Sequence, residues 1–99
     1  MPKSKITWSK TSLKQFAKAI KYIHKQSVQN AEKVRMDIVE KISSLPANPE
    51  FYAPDKYKKI NDASYRAFEI HQYRISYRIL PGEIKIVRFS HVKRQVSNY

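Results

Sequence analysis

The spacing of apolar side chains changes once along this chain, and that change restricts the fold more than any other feature. Up to Leu45 the apolar residues recur every three or four positions; from Tyr65 they recur every second one. The first period belongs to a helix buried along one stripe, the second to a strand buried on one face. A chain that holds both in separate blocks must lay its helices together against one side of a sheet, the α+β arrangement.

The opening segment Lys5–Trp8 is short, β-branched and aromatic, and reads as a strand. Ser9, Thr11 and Ser12 offer helix caps, with Ser12 and Gln15 at capping-box spacing. Leu13, Phe16, Ala17, Ile20 and Ile23 then form one apolar stripe, and Lys10, Lys14, Lys18, Lys21 and Lys25 the opposite, solvated face. The pattern breaks at Gln26–Asn30, where Ser27 can cap a second helix buried through Ala31, Val34, Ile38, Ile42 and Leu45. Pro46 ends that helix, since a residue before proline avoids helical geometry. Two such helices joined by a short turn make an antiparallel hairpin.

Residues 46–64 carry Pro46, Pro49 and Pro54 and no clear period, with Phe51, Tyr52 and Tyr57 expected to pin them to the body. Loops this long in a small domain are usually functional or mobile. Beyond them come a strand at Tyr65–Ile70, a second in which Tyr73, Ile75, Tyr77 and Ile79 alternate with Arg74, Ser76 and Arg78, and a return strand at Glu83–Ser90. Pro81-Gly82, with the only glycine, marks a type II turn. The expected order is β-α-α-β-β-β, an antiparallel sheet with an N-terminal helix hairpin packed on one face, and residues 1–99 form a single domain.

Charge narrows the partners. Twenty Lys and Arg against eight Asp and Glu give a formal +12, where solubility alone asks for about 2–8. Such an excess favours nucleic acid, ribosome or another polyanion. The halves differ in kind: lysines dominate the first, whereas Arg66, Arg74, Arg78, Arg88 and Arg94 and six of the seven tyrosines lie from Tyr52 onward. Arginine forks hold phosphate in two-pronged fashion and stack on rings, so the recognition surface belongs to the second half.

Several chemistries are absent. No cysteine is present, which removes disulfides and thiolate metal sites and fits a cytoplasmic protein. The single glycine excludes phosphate-binding and dinucleotide loops. His24, His71 and His91 have no metal-ligand spacing, so neither metal nor cofactor is expected. No run of about 18 apolar residues occurs and none follows the basic start Met1–Lys5, which argues against a membrane span and a signal peptide. What remains is a set borne by the strands: Arg66, Arg74, Arg78, Arg88, His91, Arg94 and Tyr99. Cations on an open sheet face can hold a phosphodiester and a histidine at a strand end can move a proton; cross-strand pairing with Asp62, Glu69 and Glu83 is the plainer alternative.

The element order, together with Ile6-Thr7-Trp8-Ser9, Ala31-Glu32-Lys33, Tyr65-Arg66, the run Tyr73-Arg74-Ile75-Ser76-Tyr77-Arg78-Ile79 and the run from Ile84 to His91, resembles the RelE/ParE family of bacterial toxins over essentially the whole chain. The resemblance implies a toxin held inactive by an antitoxin encoded beside it, whose segment, often acidic, wraps a basic partner such as this one. One branch of that family cleaves messenger RNA on the ribosome without metal; the other poisons DNA gyrase. For the ribonuclease branch the resemblance implies catalytic roles for Arg74, Arg88 and His91, with Asp55 as the carboxylate, and RNA contacts from Lys56, Lys58, Lys59, Arg66, Arg78 and Arg94. Val92 follows His91 where some ribonucleases carry tyrosine, so Tyr99 takes that role only if the tail folds back. Ribosome-dependent cleavage of messenger RNA is the first reading and a gyrase inhibitor without catalytic activity the alternative, toward which the long helix hairpin leans. An inactive module that merely binds nucleic acid is a third reading.

Overall fold

A computed structural model describes residues 4–94 and 96–99; the basic start at residues 1–3 lies outside them. Strand β1 (Lys5–Trp8) leads into helices α1 (Lys10–Gln26) and α2 (Val28–Ser43), a 3₁₀ turn at Leu45–Ala47, and strands β2 (Tyr65–Ile70), β3 (Tyr73–Leu80) and β4 (Glu83–His91). The α+β class and element order are those the two periods dictate. One pairing differs from the expected antiparallel sheet. Strands β2, β3 and β4 form an antiparallel meander, but β1 joins the outer edge of β4 in parallel, giving the order β1-β4-β3-β2. The helix hairpin explains it: two antiparallel helices return the chain to the side it left, so β1 and β2 end on opposite edges.

A single residue, Ser27, separates the helices. Its extended backbone stops α1 with an N–H bond to the Ile23 carbonyl, while its hydroxyl accepts the Asn30 N–H and starts α2. From α2, Ala31, Val34, Ile38 and Ile42, continued by Leu45, bury against Phe68, Ile75 and Tyr77 of the sheet as their spacing requires.

Helix α1 departs from its expected stripe. Phe16, Ile20 and Ile23 pack inward, joined by Ala19, but Leu13 is 53% exposed and Ala17 also faces water. The fully buried position of the first turn is a serine. Ser12 donates to the Ile86 carbonyl at 2.8 Å, and the Gln15 side-chain oxygen accepts the Phe89 N–H at 2.8 Å. The N-cap itself is Ser9, so Ser12 and Gln15 do not form a capping box. The cause lies in unequal strand lengths. β1 stops at Trp8 whereas β4 continues to His91, and polar groups on that bare edge need partners. The first turns of α1 supply them.

A bulge in β4 sets which residues share a face. Ser76 pairs with Arg88 but Tyr77 pairs with Ile86, which leaves Val87 as an extra residue. Before the bulge Ile84 and Ile86 face the core; after it Phe89 does. Arg88 is thereby placed beside Ser76 on the face away from the helices.

The 46–64 segment is pinned, with Tyr52 packed on the core but Phe51, expected to anchor it, 70% exposed; most of the hold comes from bonds to its backbone. The Tyr77 hydroxyl donates to the Pro49 carbonyl at 2.7 Å. Arg66 donates to the carbonyls of Glu50, Tyr52 and Ala63, and Asp55 N–H bonds the Tyr65 carbonyl at 2.8 Å. These bonds close the outer edge of β2 and carry Asp55 round to the open face.

Candidate functional site

The face of the sheet opposite the helices holds a closed polar cluster. Asp55, whose side chain is wholly buried, accepts Arg74 Nη2 at 2.9 Å and Tyr57 N–H at 3.1 Å on one oxygen, and the Tyr99 hydroxyl at 2.6 Å on the other. Arg74 also donates through Nη1 to Glu69 at 2.8 Å and lies over the Tyr57 ring at 4.9 Å. Its Nε is buried with no hydrogen-bond partner among the described residues.

The tail folds back to complete this cluster. Tyr99 N–H bonds the Tyr57 carbonyl at 2.9 Å and the Tyr99 carbonyl accepts Lys59 N–H at 2.8 Å, a short strand-like pairing. Arg88 holds the tail by donating to the Ser97 carbonyl and hydroxyl at 2.8 and 3.2 Å. The Tyr99 ring sits under two cations, Arg88 at 4.3 Å and Lys58 Nζ at 4.9 Å, with Tyr65 edge-on at 6.3 Å. Lys58 and Arg78 in turn cover the Tyr65 ring at 4.7 and 4.8 Å. Cations over ring faces gain from the ring quadrupole, more so when partly dry.

Protons in this cluster are held fast. Burial pushes the Asp55 carboxyl up, but the bonds from Tyr99, Arg74 and the Tyr57 N–H outweigh it and leave the group below the usual carboxylate range. Burial and the Asp55 charge both raise the Tyr99 hydroxyl far above an ordinary phenol. Burial works against the Arg74 charge, yet Asp55 and Glu69 more than offset it.

Of the residues singled out from the sequence, the fold therefore gathers Asp55, Lys58, Arg74, Arg78 and Arg88 on one face, with Lys56 close by over the Tyr57 ring at 5.4 Å. Lys59 enters the cluster through its backbone. Arg66 points to the helix side, opposite Tyr77, where it binds loop carbonyls. His91 also lies on the helix side. It pairs with Tyr73, meets that ring edge-on at 5.3 Å, and lines a cleft of about 440 Å³ with Lys18, Tyr22 and Arg94. Burial and then the neighbouring Arg94 and Lys93 charges lower its pKa. Arg74 and His91 thus stand on opposite faces.

Tyr57, Tyr65, Glu69, Ser76 and Ser97 take part although the sequence does not mark them individually as site residues. The alternation of tyrosine with Lys and Arg after Tyr52 carries their signal. Among the described residues, no group of three or more His, Asp or Glu is placed to hold a metal ion, and no helix is long and apolar enough to cross a membrane.

A helix hairpin on one side of a four-stranded mixed sheet, with an arginine- and tyrosine-rich open face, defines a class of small basic α+β domains. Among solved structures the fold matches a toxin–antitoxin system of P. aeruginosa, the chromosomal ParDE system, with a TM-score of 0.70 and 18% identity over 91% of this chain and 97% of that one. It also matches the YoeB dimer of Staphylococcus aureus, with a TM-score of 0.60 and 24% identity over 90% and 97%. No curated protein matches in sequence. Residues 6–96 match the family described as the ParE toxin of the type II toxin-antitoxin system, parDE, and the chain belongs to that family.

Proposed function

We propose that this toxin arrests growth by binding DNA gyrase in the cytoplasm rather than by cutting RNA. The observation that carries the reading is the locked state of the open face. Metal-independent cleavage of a phosphodiester needs an acid and a base whose pKa values lie near neutrality. Asp55 and Tyr99 are tied to each other and shifted in opposite directions away from it, and His91 is on the other side of the sheet. Binding needs only the surface.

The cognate antitoxin would be an acidic partner. The +12 charge favours one, and the exposed flank of α1, where Leu13 and Ala17 lie beside Arg35, suits an amphipathic segment. Purified toxin added to gyrase and relaxed plasmid should block supercoiling at micromolar concentration in proportion to the toxin present. Unchanged supercoiling would overturn the reading. The gathering of Arg74, Arg88 and Lys58 favours a second reading, a ribosome-dependent ribonuclease that acts once Tyr99 is displaced. It expects messages cut while they are translated, and loss of cutting in Arg74→Ala.

A further inference from the structure

The place filled by Tyr99 has the chemistry of a nucleobase slot. A planar ring lies there with the cations of Arg88 and Lys58 over it and the edge of Tyr65 beside it. The polar tip of that ring donates a hydrogen bond to a buried carboxylate. A base in single-stranded nucleic acid offers the same features: a π-face for cations and rings, donors on its edge, and flanking phosphates for the nearby arginines. An apolar side chain would waste the carboxylate.

We infer that this slot binds a guanine of single-stranded nucleic acid and that Tyr99 is its built-in occupant, released when the Val96–Tyr99 strap lifts. The carboxylate chooses the base. Asp55 is purely an acceptor, and guanine alone presents two adjacent donors on its pairing edge. Adenine and cytosine set a ring acceptor beside their amino group, and uracil or thymine flanks its single donor with two carbonyls. Each of those would turn an oxygen or nitrogen lone pair toward the Asp55 charge. Arg74, already bound to the other Asp55 oxygen, keeps the carboxylate ionised and in place.

The strap is suited to lifting. Apart from its ring contacts it is held by the Tyr99 hydroxyl on Asp55, by two backbone bonds to the 57–59 loop and by Arg88 on Ser97, and Asn98 beside Tyr99 is exposed. Short segments with so few bonds open locally without global unfolding. The inference does not depend on the target of the toxin, because a gyrase inhibitor and a ribonuclease could each carry the slot.

The test compares the full-length chain with Tyr99→Ala. Each is titrated against fluorescently labelled eight-nucleotide oligouridylates and oligothymidylates with one central guanine or adenine, read by anisotropy. Tyr99→Ala should bind the guanine-bearing strand about tenfold more tightly than the unaltered chain, and roughly fivefold more tightly than the adenine-bearing one. RNA and DNA arms separate the two sources of the base. Equal affinity of the two proteins, or equal affinity for guanine and adenine in Tyr99→Ala, overturns the inference. If thermal melting shows Tyr99→Ala to be unfolded, Tyr99→Phe decides. It keeps the ring contacts and loses only the bond to Asp55, so guanine binding should rise about threefold, and no rise overturns it. Supercoiling activity has no bearing on either outcome.

Discussion

Replacing Asp55 by asparagine tests the buried cluster most directly. The side chain keeps its shape but loses its charge and one of two acceptor oxygens. Three donors, Arg74 Nη2, Tyr57 N–H and the Tyr99 hydroxyl, then compete for one oxygen. The Arg74 guanidinium, 11% exposed, keeps only Glu69, which is itself half exposed. A stranded buried donor costs about 1–3 kcal/mol, and losing one partner of a fully buried ion pair about 3–5 kcal/mol. Because Glu69 still serves one side of the fork, the lower part of the second range applies, and Asp55→Asn should cost about 3 kcal/mol. In a domain of this size that lowers Tm by about 12–24 °C. Urea unfolding followed by circular dichroism measures it. Adding Arg74→Met should recover about 1 kcal/mol or more relative to the sum of the single losses, since the cation that suffers is gone. A cost below about 1 kcal/mol, or strict additivity with Arg74→Met, would refute the cluster as the anchor of the loop and tail.

Four further outcomes follow from the same contacts. Asp55 has a folded pKa below the ordinary 3.8, so its contribution is present above that pH and fades as pH falls through the folded value; melting curves from neutral pH downward should show an acid loss that Asp55→Asn lacks. Tyr77 is raised by burial from 10.0 to about 12, so folding binds more protons between those values, and stability should fall as pH rises from 10.0 toward 12 in the native chain but less in Tyr77→Phe. At neutral pH Tyr77→Phe should still cost about 1 kcal/mol, for the lost bond to the Pro49 carbonyl, measured by urea unfolding. The β2–β3 turn holds His71 and Gln72 at φ 52° and 66°; Gln72→Gly should stabilise by up to about 1 kcal/mol in the same assay, because only glycine takes that conformation freely.

Much of this architecture is legible in the sequence, and the departures share a cause. Helix α2 buries the side chains its spacing selects, and β2 and β3 alternate as written, because both are governed by local period. Apolar spacing places Leu13 and Ala17 in the core because it carries no sign that the edge of β4 needs Ser12 and Gln15 instead. The parallel seat of β1 depends on where the hairpin returns the chain. The bulge at Val87 is invisible to strict alternation, which sets Arg88 with Ile86. The site divides the same way. Arg74, Arg88, Asp55 and Lys58 stand out by charge and meet in space, whereas the separation of His91 from Arg74 is a matter of strand register. Tyr99 can be named from the sequence, but only tertiary structure seats it.

The parallel seat of β1 has a consequence in time. Ser9 bonds to Val87 across a separation of 78 residues, so the first strand made must wait for the last. At about 5–20 residues per second that interval is roughly 4–16 s of synthesis. Until β4 is made, β1 has no neighbour, the first turns of α1 have no edge to close, and the open face lacks Arg88. A growing chain is therefore not yet a toxin. The open face is complete only when β4 closes the sheet between β1 and β3, and a fragment that stops short of β4 lacks it.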